Sequence, residues 1–207
     1  MQTPQRGRRA TRPTGDDRQR AIVEAFERLL ADRPLADIGV DGIAAGAGLS
    51  RSAFYFYFAS KQAVLLELLD RMFAETDERL AAVGRPGEDV TAWWRAVIGV
   101  FVEVFGAHRA VTRTLAEARA TQPEVRAEWS ARSTAWVDQA AAAIASLQRH
   151  GRARAGIDPR ATSIALNAMN ERVLAAAFTD DEEPSLAPDR VLDVLTDVWV
   201  TTIHGFR

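Results

Sequence analysis

The chain has 207 residues, of which 47% are hydrophobic and 26% are charged, and it contains no cysteine. This composition excludes a disulfide scaffold, thiolate metal sites and thiol nucleophiles, and it is typical of a globular protein in a reducing cytoplasm. The N-terminal stretch is polar and arginine-rich, and no long apolar stretch lacks a charge, so we expect a cytoplasmic protein that neither is secreted nor spans a membrane.

Charge is distributed unevenly along the chain. Residues 1–62 contain nine arginines and one lysine against seven acidic residues, which gives +3, whereas residues 63–207 contain sixteen arginines against twenty-one acidic residues, which gives −5. A basic head on an acidic body is typical of a head that meets a polyanion, although a solvated basic tail has the same composition. We predict a disordered basic arm over residues 1–15.

Three helical patterns follow the arm. The first is an amphipathic helix over residues 16–32, with acidic residues at its start. The second, over residues 40–47, is short and is broken at Gly46 and Gly48, and the third begins with a serine cap and covers residues 50–58. Two short helices joined by a tight glycine-containing turn predict a helix-turn-helix.

The outer face and the start of the third helix carry the candidate DNA contacts. Phe54 and Phe58 lie one turn apart and are predicted to pack in the core, whereas core and surface positions stay equally open for Tyr55 and Phe56. Arginine typically reads guanine in the major groove, and hydroxyl and ammonium groups bind phosphate. The predicted DNA-binding residues are Ser50, Arg51, Ser52, Tyr55, Tyr57 and Lys61.

Beyond the head, every periodic segment is helical. A long helix over residues 61–83 leads out of the head, and further helices are predicted at about 88–106, 109–121, 123–150, 159–178 and 188–204. Segment 90–105 is apolar almost all round, which predicts a helix buried in the middle of the body. The predicted fold is all-α with about nine helices: a three-helix helix-turn-helix head over 16–62 and a helical body over 63–207.

All five tryptophans lie in the body, where they fit either a filled core or the wall of a pocket. Asn167 and Asn170 lie three residues apart on one face of an otherwise apolar helix. A buried carboxamide needs a hydrogen-bond partner, so two asparagines beside aromatic residues favour an apolar pocket with a few placed polar groups.

Residues 16–62 resemble the DNA-binding head of the TetR family, whose pattern A..AGvS...fY.yF.sK is matched from Ala44 to Lys61. The similarity to one member of this family continues over nearly the whole chain, for example through DRPLADI, SKQAVLLELLDR and RVLDVLTDVWVTTIHG. The resemblance implies a repressor that binds double-stranded operator DNA as a homodimer and is released by a mostly apolar small molecule, with no cofactor.

The resemblance also implies the positions that form the pocket. The predicted ligand-binding residues are Trp93, Trp94, Ile98, Phe101, Phe105, Trp136, Asn167, Asn170, Glu171 and Trp199, with Ser133 and Gln139 beside them. Ala175 stands where the resemblance leads us to expect an aromatic residue, which predicts a larger or reshaped cavity.

Dimerisation is expected because a single short recognition helix covers too few base pairs to find an operator. The last two predicted helices are rich enough in apolar residues to face both their own core and a partner. These residues are Ile164, Leu166, Met169, Val173, Leu174, Val191, Leu192, Leu195, Val198 and Ile203. The resemblance implies a four-helix bundle at this interface.

An enzyme interpretation rests on two short motifs. Gly42, Gly46 and Gly48 spell GxxxGxG, and Tyr57 with Lys61 spells YxxxK, which mimic two signatures of NAD(P)-dependent short-chain dehydrogenases. Those glycines need a preceding strand, and the Tyr–Lys pair has to lie far downstream. The sequence offers neither, and its three histidines lack metal-ligand spacing, so we expect no enzyme activity and no metal.

Overall fold

The computed structural model describes residues 14–178 and 184–205, and within these residues every regular element is helical, as predicted. The helices are α1 (Gly15–Asp32), α2 (Val40–Gly46), α3 (Arg51–Tyr57), α4 (Lys61–Val83), α5 (Val90–Ala107), α6 (Arg109–Thr121), α7 (Pro123–Arg149), α8 (Pro159–Ala177) and α9 (Pro188–His204). A short 3₁₀ turn, Leu35–Asp37, connects α1 to α2. The predicted basic arm lies outside the described residues up to residue 13.

The N-terminal end of α1 extends into the predicted arm by two residues. Thr14 is its N-cap, and Gly15 is its first helical residue. The Thr14 Oγ accepts the Asp17 backbone N–H at 3.2 Å, and the Asp17 carboxylate accepts the Thr14 backbone N–H at 2.9 Å. This reciprocal capping box satisfies two N–H groups at the end of the helix. The hydrogen bond from the Thr14 backbone holds the pKa of Asp17 below its ordinary value.

The turn between α2 and α3 is fixed by a glycine. Gly48 has φ of +68°, a left-handed conformation that glycine adopts without the steric cost of a Cβ. Its N–H donates to the Ala45 carbonyl at 3.0 Å, and the Leu49 N–H donates to the Ala44 carbonyl at 2.8 Å. This pair of bonds is a Schellman motif, which ends α2 and turns the chain toward α3.

The chain forms two compact units, with the boundary between Leu65 and Leu66 inside α4. The first unit, called the head below, contains α1, α2 and α3, and α2 contacts both of the others. At Gly46 an added Cβ would lie 3.2 Å from the Ala25 Cβ, so the small residue permits close contact of α1 and α2. The core of the head contains Ile22, Phe26, Leu30, Ile38, Ile43, Phe54 and Val64.

The second unit, called the body below, is built from the later helices. Helix α5 contacts α6, α8 and α9, and α7 contacts α6 and α8. Proline occupies the first turn of α7, α8 and α9, where its missing N–H costs no helical hydrogen bond. By length and composition alone α5 could cross a membrane, but its packing against three helices is that of a core helix.

Helix α5 nevertheless differs from its prediction, because it is not enclosed on all sides. Ala92, Arg95, Ala96 and Glu103 are exposed, and Arg95 pairs with Asp193 of α9 at 2.7 Å. Small and charged residues thus interrupt the apolar pattern on one face. Several large side chains on the rest of the helix line cavities inside the body.

Candidate DNA-binding surface and ligand cavity

Helix α3 divides its side chains between the core and the surface of the head. Phe54 is fully buried and Phe58 is 6% exposed, as predicted, and their rings lie 6.2 Å apart. Tyr55 is 46% exposed and Phe56 is 83% exposed, so the two positions that the sequence left open are both on the surface. The Ser50 Oγ caps the helix by accepting the Ala53 N–H at 3.1 Å.

The guanidinium of Arg51 is held by two neighbours on this surface. Its Nη1 donates to the Asp41 Oδ2 at 2.7 Å, and its Nη2 donates to the Tyr55 hydroxyl at 3.2 Å. The guanidinium carbon also lies 5.6 Å from the centre of the Tyr55 ring. The hydrogen bond and charge of Asp41 raise the pKa of Arg51, with a smaller contribution from Tyr55. Sequence reasoning missed Asp41, which lies on α2 across the turn.

The remaining predicted DNA contacts differ in their exposure and in their hydrogen bonds within the head. Ser52 is exposed and Tyr57 is half-buried, with the Tyr57 ring against that of Phe56 at 5.1 Å. The Lys61 Nζ donates to the carbonyls of Leu35 and Ile38 at 2.8 and 2.9 Å, and to that of Ala36 at 3.4 Å. Because an ammonium group has three N–H bonds, Lys61 uses all of them inside the head, and its contact with phosphate stays a prediction.

The body contains two neighbouring cavities, called the first and the second chamber below and together the cavity. The first, bordered by α5, α6, α7 and α8, and the second, toward the start of α5, share Phe101, Trp136 and Asn167 as wall residues. The space that can hold a water-sized sphere is about 50 Å³ in the first chamber and about 200 Å³ in the second. Predicted ligand-binding residues in the first chamber are Phe101, Phe105, Trp136, Asn167, Asn170 and Glu171, and those in the second are Trp93, Trp94, Phe101, Trp136, Asn167 and Trp199.

Ile98 is the exception among the predicted wall residues. It is 1% exposed but lines neither chamber. It lies about one turn from both Trp94 and Phe101 on α5, and these larger rings form the wall in its place. Ser133 and Ala175 line the first chamber, and Gln139 lines the second.

Asn170 presents hydrogen-bond donors to the first chamber. Its Oδ1 accepts the indole N–H of Trp199 at 2.9 Å, and because an indole nitrogen only donates, the carboxamide orientation is fixed. No described residue accepts from its Nδ2, and no unpartnered side-chain nitrogen or oxygen in the described residues is fully enclosed. The amide N–H bonds of Asn170 therefore open onto the cavity.

Asn167, one turn earlier on α8, presents the opposite group. Its Nδ2 donates to the Ser163 carbonyl at 2.9 Å and to the Ser163 Oγ at 3.2 Å. The Ser163 hydroxyl in turn donates to the Val137 carbonyl at 2.8 Å, which fixes the direction of the chain of bonds. The Asn167 Oδ1 has no donor among the described residues, so the cavity contains an acceptor about one helical turn from the Asn170 donors.

A charged pair lies at the wall of the first chamber. Arg119 of α6 pairs with Glu171 of α8, and its guanidinium carbon lies 5.3 Å from the centre of the Trp129 ring. All three residues line the chamber. The side chains of the pair are about one third exposed, so this wall adjoins solvent, whereas the asparagines lie between aromatic residues.

Two cavity tryptophans are oriented by partners that sequence reasoning missed. The Trp136 indole N–H donates to the Asp77 Oδ1 of α4 at 2.8 Å, and Arg132 pairs with the other oxygen of the same carboxylate. The Trp94 indole N–H donates to the His204 Nε2 at 3.2 Å. Because that nitrogen accepts, the His204 proton lies on Nδ1, which faces the Arg152 carbonyl oxygen.

The head and the cavity-containing body define a helix-turn-helix transcriptional regulator. Residues 22–68 match the family described as bacterial regulatory proteins, tetR family, and residues 94–205 match the C-terminal domain of the transcriptional regulator EthR. The chain belongs to the TetR family, in the group whose C-terminal domain is that of EthR.

Individual relatives agree with this assignment. The chain is 48% identical over 202 residues to the HTH-type transcriptional regulator EthR of Mycobacterium tuberculosis, covering 97% of this chain and 93% of that protein. It is 41% identical over 202 residues to EthR of Mycolicibacterium smegmatis, covering 97% and 92%. A solved transcriptional regulator from Saccharomonospora viridis in complex with choline has the same fold, with a TM-score of 0.77, 22% identity and coverage of 91% and 98%.

Proposed function

We propose that the protein is a repressor that binds a palindromic operator as a homodimer and leaves the DNA when an apolar ligand occupies the two-chamber cavity. The observation that carries this proposal is the combination, in one chain, of an exposed face on α3 with an apolar cavity that contains both a donor and an acceptor. We further propose that residues 16–62 act as the DNA-binding domain and residues 63–207 as the ligand-binding and dimerisation domain. The protein acts on DNA in the cytoplasm.

The side chains of α3 have distinct tasks in this proposal. Arg51, Ser52 and Tyr55 face base edges in the major groove, where a bidentate arginine contact with guanine discriminates by about 1–3 kcal/mol. Ser50 and Tyr57 contact phosphates, which supply affinity without sequence information. Lys61 contributes mainly by holding the start of α4 against the 3₁₀ turn, and direct phosphate binding requires it to exchange one of its three internal bonds.

Dimerisation is supported by the exposed face of α8. Ile164 is 46% exposed, an unusual position for an isoleucine, and it lies beside exposed alanines that permit a second helix to approach. The exposed alanines are Ala161, Ala165 and Ala168. On α9, Leu192, Val194 and Val198 are only half-buried. Pairing α8 and α9 with their copies covers these residues and holds two heads at the spacing that an operator requires.

The chemistry of the cavity wall suggests the class of ligand. A group with an acceptor for the Asn170 amide and a donor for the Asn167 carbonyl oxygen fits between the two asparagines, and a secondary amide has both. The aromatic walls on either side favour apolar chains attached to that group. An elongated apolar molecule with an amide-like centre therefore satisfies both the polar and the apolar parts of the wall.

Release from DNA follows from linkage. A ligand that binds one conformer more tightly than the operator-bound conformer weakens DNA binding by the same factor by which DNA weakens ligand binding. Trp136 lines both chambers and is bonded to Asp77 of α4, the helix that begins at Lys61 in the head. A ligand that displaces the Trp136 ring thus acts on α4 directly.

Replacing Tyr55 with alanine tests the DNA-binding part of the proposal. We expect Tyr55→Ala to weaken binding to a promoter fragment from upstream of its own gene by at least about 100-fold in a gel shift, because each half-site loses on the order of 1.5 kcal/mol. Dimer content measured by light scattering should be unchanged. Tyr55→Phe keeps the ring and removes the hydrogen bond to Arg51. We expect its affinity for the promoter fragment to lie between those of the wild type and Tyr55→Ala. Wild-type affinity in Tyr55→Ala would count against the proposed surface.

A matched pair of probes tests the ligand class. N-hexyl hexanamide and hexyl hexanoate have the same chains, but only the amide has an N–H for Asn167. We expect the amide to bind about tenfold more tightly in a titration of tryptophan fluorescence, since one net hydrogen bond contributes about 0.5–1.5 kcal/mol. This preference should disappear in Asn167→Leu. Equal binding of both probes to the wild-type protein would exclude the donor–acceptor arrangement.

The enzyme alternative has little support. Gly42 and Gly46 belong to α2, and no strand precedes them in the described part of the head. Lys61, whose ammonium would have to assist Tyr57 in a dehydrogenase, is bonded to three backbone carbonyls instead. The EthR proteins to which the chain is 48% and 41% identical are transcriptional regulators, which favours a protein without enzyme activity.

A further inference from the structure

We propose that Asp41 is a positioning residue that aims Arg51 at base edges and keeps it from serving as a general phosphate contact. This inference rests on the proposed DNA-binding surface of α3 and adds a residue on the neighbouring helix α2 to it. The two side chains form the shortest polar contact on that surface, at 2.7 Å between the Arg51 Nη1 and the Asp41 Oδ2.

The geometry leaves Arg51 able to read a base. A guanidinium has five N–H bonds, and the contacts with Asp41 and the Tyr55 hydroxyl use one on each terminal nitrogen. The remaining N–H bonds suffice for a bidentate contact with the O6 and N7 of guanine. Both residues remain largely accessible, with side-chain exposures of 56% for Arg51 and 72% for Asp41, so DNA can reach the pair without opening it.

The net charge of the Asp41–Arg51 pair determines whether it strengthens binding to any DNA or only to a particular sequence. A free arginine is attracted to every phosphate and strengthens binding to any sequence. With a carboxylate bound to it, Arg51 belongs to a pair without net charge, and the carboxylate is repelled by nearby phosphates. Binding to random DNA therefore gains little from Arg51, whereas a correctly placed guanine still gains two hydrogen bonds. Asp41 increases discrimination and decreases total affinity.

A purely structural role for Asp41 makes a different prediction. Asp41 lies in the first turn of α2, where an acidic side chain stabilises the helix N-terminus, and Gly39 provides no side-chain cap. If this were its only task, its loss would lower thermal stability and would weaken binding to operator and random DNA by the same factor. The ratio of the two affinities separates the alternatives.

The test uses Asp41→Asn and the control Asp32→Asn, an exposed acid of the head that makes the same change in net charge. Affinities are measured for the promoter fragment and for a shuffled duplex of the same length over a range of salt concentrations. We expect Asp41→Asn to lower the promoter-to-shuffled affinity ratio roughly tenfold, because Arg51 stays present in both half-sites of the dimer but loses its fixed orientation in each, at about 0.7 kcal/mol per half-site. Binding to the shuffled duplex should be equal to or tighter than that of the control, with a steeper salt dependence.

A double-mutant cycle with Arg51→Gln completes the test. If Asp41 acts through Arg51, Asp41→Asn should not reduce the affinity ratio further in the Arg51→Gln background. Independent losses in the two variants, or an unchanged ratio in Asp41→Asn, would overturn the positioning role while leaving the proposed function intact. If the wild-type protein itself does not prefer the promoter fragment, the proposed function fails and this inference fails with it.

Discussion

The variant Phe54→Ala is expected to lose the folded head and all specific DNA binding while the body stays folded. Phe54 is fully buried in α3, and truncating a buried phenylalanine to alanine costs about 3–5 kcal/mol. A unit of about fifty residues has on the order of 3–7 kcal/mol of stability in total, so this loss removes most of it. The same truncation in a larger unit would leave a folded protein.

The distribution of aromatic residues lets this outcome be measured in the intact chain. All five tryptophans lie in the body and both tyrosines lie in the head, so tryptophan fluorescence follows the body, whereas far-ultraviolet circular dichroism follows every helix. When Phe54→Ala is heated, we expect part of the helical circular dichroism signal to be lost well below the unfolding temperature of the wild type. The temperature of the tryptophan fluorescence transition should be unchanged. Phe56→Ala is the matched control, because Phe56 is 83% exposed and its removal should change stability by less than about 0.5 kcal/mol. A single transition at the wild-type temperature in Phe54→Ala would contradict two separately stable units.

The variant Ala175→Phe is expected to lose its response to N-hexyl hexanamide while keeping its operator affinity within about twofold. Ala175 lines the first chamber of the cavity, and a phenyl ring there takes up space that the ligand needs. Because a ligand can shift an equilibrium only by its difference in affinity between the two states, a protein that cannot bind the amide cannot be released by it. The ring should also raise the thermal stability of the ligand-free protein if it packs without strain.

The measurement is a gel shift with increasing amide, together with a fluorescence titration. Ala177→Phe serves as the control, because Ala177 is on the same helix but does not line either chamber. We expect the control to bind the amide and to release DNA as the wild type does. Release of Ala175→Phe at wild-type amide concentrations would show that the first chamber is not where the ligand acts. Loss of operator binding in the absence of amide would show that filling the chamber disturbs the head.

Features set by residues close in sequence could be predicted. The helix-turn-helix follows from Gly48 and from the Ser50 cap, and both act within five residues of themselves. The helix ends of the body follow from prolines and caps in the same way, and the observed bounds differ from the predicted ones by a few residues at most. Such signals need no knowledge of how the helices pack.

Features set by packing could not be predicted. The partners that orient Trp136 and Trp94 are Asp77 and His204, 59 and 110 residues away, and no spacing rule connects them. The same limit explains Ile98, whose place behind the cavity wall depends on the larger rings beside it. For Asn167 and Asn170 the sequence indicated a polar site in an apolar wall, but only their hydrogen bonds reveal which amide atom each turns inward.

The alternation of side chains along α3 has a consequence for how such regulators diversify. Phe54 and Phe58 anchor the helix, whereas Arg51, Ser52, Tyr55 and Phe56 project outward and bear little of the packing. After a gene duplication, one copy can therefore exchange its outward residues and acquire a different set of target promoters without having to evolve a new core. The set of promoters that such regulators control can therefore change faster during evolution than their fold does.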